Sequence, residues 1–204
     1  METNQVSEHL QVIRTLMERS ALYRRELAPV MLSTGTLGVA AAAIGLELHL
    51  ESMGAFAGLW LCTAAVAVAG AFLIARRQAF KDHESFWSPP TRRVAHALLP
   101  PLLAGMCLGL TLAWVGLANP VILTFTWLLF YGCALHAAGF FIPRGMKLFG
   151  WVFVGLACTS LMFLAIVPLK VVVSAHWLMG FFFGVLHLAC GAYLRLTARR
   201  NSAA

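Results

Sequence analysis

Six runs of about twenty apolar residues, each long enough to cross a bilayer, set the limits on what this chain can become. They lie at approximately 27–46, 55–75, 94–116, 121–142, 148–168 and 171–194. No Asp, Glu, Lys or Arg falls near the middle of any of them; Glu26 and Glu47 stand at the two ends of the first. The last run, Val171 to Leu194, leads directly into Arg195, Arg199 and Arg200, the pattern of a span with a basic anchor. Of the 204 residues, 60% are hydrophobic and 11% charged. A soluble domain of this length has too little interior to hide so much apolar surface, so a bilayer must supply the missing apolar solvent. The fold class expected is all-α: a polytopic membrane protein with six transmembrane helices, preceded by an N-terminal amphipathic interfacial helix. Three parts are expected: that helix at 1–25, the transmembrane domain at 26–196 and a tail at 197–204.

The net charge of +7 could point to nucleic acid, but the charges sit at span ends, where they set topology instead. Threading the chain with both termini on the cytoplasmic side places fourteen of the fifteen Lys and Arg residues on that side; only Lys170 falls outside. Positively charged loops resist translocation, so the asymmetry predicts a multi-pass protein with cytoplasmic N and C termini. No nucleic-acid partner is expected. Val6, Leu10, Ile13, Leu16, Met17 and Leu22 follow helical spacing opposite Glu8, Gln11, Thr15 and Glu18, which suits a helix lying in the membrane surface. The loop from Arg76 to Arg93 carries Arg76, Arg77, Lys81, Arg92 and Arg93 together with Trp87, a composition suited to anionic lipid headgroups. Trp60, Trp114, Trp127 and Trp177 fall near the outer span ends and predict an interfacial aromatic belt.

Histidine is what remains inside the spans. His136 lies eight residues before Arg144 and His187 eight before Arg195, which places both at similar depth, roughly 12 Å from the basic collar at 1.5 Å per residue. Small residues share their stripes: Gly132, Cys133 and Gly139 with His136; Gly180, Gly184, Cys190 and Gly191 with His187. Helices approach closely along such stripes, so both imidazoles are expected to face the bundle interior. His176, eleven residues before His187, falls on nearly the same face. Three roles compete: interhelical hydrogen bonding, a lining for a small-molecule or proton path, and metal or haem ligation by His136 and His187 with Cys133 or Cys190. The first is favoured, because buried polar groups need partners and histidine finds them readily.

Pro100 and Pro101 in the third run remove two backbone donors and free the carbonyls of His96 and Ala97. A kink is the simpler consequence; a cavity beside an interrupted helix is the other. The five cysteines fall one each in the second to sixth runs and imply no disulfide framework.

Ala175-His176 followed by Gly180 and Gly184 is similar to the last catalytic helix of rhomboid proteases. That family needs a GxSG serine on its fourth span, where this chain has Gly132-Cys133-Ala134-Leu135, so intramembrane proteolysis is rejected. Size and topology also resemble the substrate-binding membrane subunits of vitamin importers, without a shared motif. The opening Ile13-Arg14-Thr15-Leu16-Met17-Glu18-Arg19-Ser20 with Tyr23 resembles the start of small bacterial six-span inner-membrane proteins, and that resemblance implies a bacterial source and no particular chemistry.

With no catalytic constellation and no cofactor expected, the leading reading is a non-enzymatic partner or sensory subunit of a membrane complex. The alternative is a small-solute transporter or substrate-binding subunit with a cavity near His136, His187 and Pro100. A b-type haem or metal-binding redox protein ranks third.

Overall fold

The computed structural model describes residues 27–81, 86–115, 119–142, 144–166 and 173–203. The amphipathic helix expected at 1–25 lies outside these residues, as does Lys170. Within them the chain is an all-α bundle without a strand. The order is α1 (Leu27–Glu47), α2 (Met53–Lys81), α3 (Pro89–Val115), α4 (Pro120–Ala138) and α5 (Arg144–Ile166). A sixth span follows, made of α6 (Ala175–Met179), a π-helical segment (Gly180–Val185) and α7 (Leu186–Ala203). Among the described residues six helices are long and apolar enough to cross a membrane, and the protein is an integral membrane protein.

Local chemistry accounts for the boundaries. Asn119 caps α4 by accepting from the Ile122 amide at 2.9 Å, and Pro120 takes the first helical position, where its missing N–H costs nothing. Ser174 caps the sixth span through the His176 amide at 3.3 Å. Between α1 and α2 the chain turns tightly at His49, whose φ of 49° is left-handed, a region that histidine tolerates better than most residues. α2 runs six residues beyond the expected 75, because Arg76, Arg77, Gln78 and Ala79 are good helix formers with no need of lipid. α4 stops at Ala138, four residues before the expected 142, and Gly139 through Phe141 form a turn into α5.

Glycines set the helix pairing. α1 lies antiparallel to the sixth span. A Cβ on Gly35 would sit 2.7 Å from the Leu188 amide nitrogen, one on Gly38 2.5 Å from the Phe183 carbonyl, and one on Gly191 2.9 Å from the Leu32 amide nitrogen. α4 and α5 form a second antiparallel seam, with Gly132 facing Val154 and Gly150 facing the His136 amide. Gly105 and Gly109 open α3 to Phe130 and Trp127 of α4, and Trp127 Nε1 donates to the Gly105 carbonyl at 3.2 Å. Lipid tails are as apolar as leucine, so association within a bilayer rests on such close packing and on interhelical hydrogen bonds.

The core centres on α4, where Leu123, Leu128 and Ala134 are fully enclosed, and on Phe56, Phe153 and Ala157 of its neighbours. α2 contributes only Phe56, Ala57 and Trp60; past Trp60 none of its residues is buried. The expected tryptophan belt divides. Trp114 and Trp177 are 92% and 65% exposed, as a belt requires, whereas Trp60 is 4% exposed and Trp127 half-buried. The latter two turned inward because each indole N–H finds an acceptor inside the bundle.

Candidate functional site

His176, at the start of the sixth span, is fully buried. An indole N–H can only donate, so the 3.2 Å bond from Trp60 Nε1 makes His176 Nδ1 an acceptor. The neutral ring then carries its proton on Nε2, which donates to the Leu50 carbonyl at 3.0 Å. Phe56 packs against the ring at 5.0 Å, and Gly45 of α1 closes over it where any Cβ would collide with the imidazole. One side chain thus ties α1, the α1–α2 turn, α2 and the sixth span together.

His187 is also fully buried, but it carries the other tautomer. The Phe182 carbonyl can only accept, so Nδ1–H donates to it at 3.0 Å. Nε2 is left to accept from the Tyr131 hydroxyl at 2.7 Å. Phe149 and Phe153 of α5 and Phe183 of its own helix surround the ring at 5.4, 5.7 and 5.8 Å. A neutral imidazole is what so apolar a site accepts. Tyr131, Phe149 and Phe153 were not legible as its partners. The one available signal was a phenol in mid-span, which needs a hydrogen bond wherever it is enclosed.

The two rings do not share a face, contrary to expectation. The π-helical segment lies between them, and one extra residue in a turn rotates everything after it by about 100°. His176 therefore meets α1 and α2, while His187 meets α4 and α5. Nor does the structure bring His136 and His187 together. Tyr131 points at His187, and His136, five residues on, is turned about 140° around α4. His136 is half-buried, with Phe140 and Trp151 packed edge-on at 5.4 and 5.0 Å, and its Nδ1 is enclosed without a partner. The expectation that His136 faces the bundle interior is corrected accordingly: it is half-buried and lies in the last turn of α4.

The candidate metal ligands are likewise dispersed. Cys133 is exposed, Cys190 half-buried, and no group of three His, Cys, Asp or Glu side chains suited to a metal ion occurs among the described residues. α3 passes through Pro100 and Pro101 without a break, and Pro100 is exposed. A described opening lies elsewhere. It is a cleft of about 450 Å³ between the start of α4, the end of α5 and the start of the sixth span, lined by Val121, Phe125, Thr159, Ser160, Phe163 and Leu178 among others. None of the histidines, cysteines or prolines considered above borders it.

At the basic end, Arg76, Arg77, Lys81, Trp87, Arg92 and Arg93 are all exposed. Arg76 lies over the Phe80 ring at 5.5 Å, and Phe72 meets Phe86 edge-on at 4.6 Å, so cations and rings are interleaved as at a membrane surface. No protein-family model matches the chain, and comparison with curated proteins and with solved structures finds no match.

Proposed function

We propose that the protein is a non-enzymatic membrane subunit that seats another membrane protein along α2. The observation that carries this reading is the face of α2 left open by the fold. Gly54, Gly58, Cys62, Ala65 and Ala69 recur every three or four residues, and all are exposed. A Cβ added at Gly54 or Gly58 would meet nothing within 4 Å. Such a stripe wastes contact area against fluid lipid but lets a second helix approach closely, as the glycine seams inside this bundle do. The filled aromatic surround of His187 favours this reading over a solute path near His136, His187 and Pro100.

In this proposal the basic end faces the cytoplasm of a bacterial cell, with both termini on that side. The Arg76–Arg93 segment rests on anionic headgroups, and the amphipathic stretch at 1–25 supplies a second, cytoplasmic contact. Purification in mild detergent is expected to yield a stoichiometric companion that Gly58→Leu releases without lowering the melting temperature. Repeated isolation of the wild-type chain alone, as a monomer, would sink the proposal.

A further inference from the structure

His176 and His187 are each satisfied at both ring nitrogens; His136 is satisfied at neither among the described residues. An orphaned acceptor is tolerated better than an orphaned N–H. The favourable tautomer therefore leaves a lone pair on the enclosed Nδ1 and puts the proton on Nε2. That N–H needs an acceptor, which no described residue provides. Around the ring the chain places two large, exposed aromatic side chains, Phe140 and Trp151. Lys147 Nζ lies 3.7 Å from the centre of the Phe140 ring, so the cation and the imidazole pack on one phenyl group. Residues 132–155 contain no Asp or Glu to neutralise the Lys147 cation. The cluster sits at the α4–α5 turn, the same end of the bundle as the basic collar, where headgroups lie against a spanning protein.

We propose that His136, Phe140, Lys147 and Trp151 form a seat for the phosphodiester headgroup of one anionic phospholipid. Nε2–H of His136 donates to a phosphate oxygen, and Lys147 supplies the countercharge. Trp151 and Phe140 pack at the level where headgroup meets acyl chain. The Arg76–Arg93 collar differs, because its described basic side chains are exposed, whereas His136 Nδ1 is enclosed by packing. The cluster is also on the opposite hairpin from the α2 stripe, so it stands independently of the proposed partner.

Native mass spectrometry of the full chain, released from bilayers of phosphatidylglycerol and phosphatidylcholine, reads the seat directly. One phosphatidylglycerol is expected to remain bound. Lys147→Gln should lower its retention about fivefold, the worth of one basic residue at an anionic surface. His136→Phe keeps the ring packing, removes both nitrogens and should lower retention about tenfold, as for a lost hydrogen bond to a charged group. His136→Gln, which still offers an N–H, should keep most of it, and Arg76→Gln should leave it unchanged. Equal retention by the wild type, Lys147→Gln and His136→Phe overturns the proposal. So does release of the lipid by millimolar inorganic phosphate, which would make free phosphate the ligand.

Discussion

The most apolar stretch of α2 has a higher hydropathy than that of α4, yet only 11% of it is buried inside the protein against 56% for α4. Burial in this bundle therefore does not follow hydropathy. In water the more apolar helix would be driven inward; in a bilayer lipid solvates it equally well, and the drive vanishes. What α4 has is fit and polar partners. Gly132 admits α5, Trp127 bonds the α3 backbone, and Tyr131 bonds His187. α2 has such a partner near its start, at Trp60.

The sharpest way to break this contrast is to add bulk to each helix pair. Gly150→Leu would force the α4–α5 seam apart, since even a Cβ there lies 2.6 Å from the His136 backbone nitrogen. A loss of about 3 kcal/mol, the upper end for an overpacked site, is expected from unfolding in detergent followed by circular dichroism. Gly70→Leu in α2 meets open space and should stay within about 0.5 kcal/mol of the wild type. Equal costs at the two sites would mean that α2 is as tightly held as α4.

The histidine locks sharpen the comparison at a smaller scale. Gly45→Ala pushes a methyl group into the His176 ring and should cost about 1–2 kcal/mol, because the ring is held from both sides. Tyr131→Phe strips the donor from His187 Nε2 while leaving the ring stack, and about 1 kcal/mol is expected, in line with interhelical hydrogen bonds in membranes. Trp60→Phe, at the edge of the α2 contact, should cost less than Tyr131→Phe. A double-mutant cycle of Tyr131→Phe with His187→Phe gives the coupling of that pair; a coupling near zero would contradict the Tyr131–His187 hydrogen bond.

Much of the site was within reach of the residues alone, and the misses have physical causes. That His176 and His187 are enclosed and hydrogen-bond across helices follows from placing a polar ring in an apolar span. Which helices they join does not, because the π-helical segment at Gly180–Val185 resets the helical phase between them. Counting residues assumes one uniform turn, and nothing in Gly180 to Val185 announces the change. The same counting gave His136 and His187 similar depth, but α4 ends at Ala138, which leaves His136 in its last turn, and rotation about α4 turns it away from Tyr131, the partner of His187. Trp60 and Trp127 looked like belt residues because they lie near span ends, but a side chain at the right height can still point inward.

By itself the sequence determined the solvent. Six uncharged apolar runs with basic residues between them admit a helical bundle in a membrane and little else, since unsatisfied backbone groups are intolerable in hydrocarbon. The tertiary structure alone decided which helices are inside, which histidine meets which partner, and which faces stay open. Those outcomes depend on rotation about each helix axis and on approach to within a few ångströms at particular glycines. A pattern of apolar residues surrounded by equally apolar lipid carries no information about either.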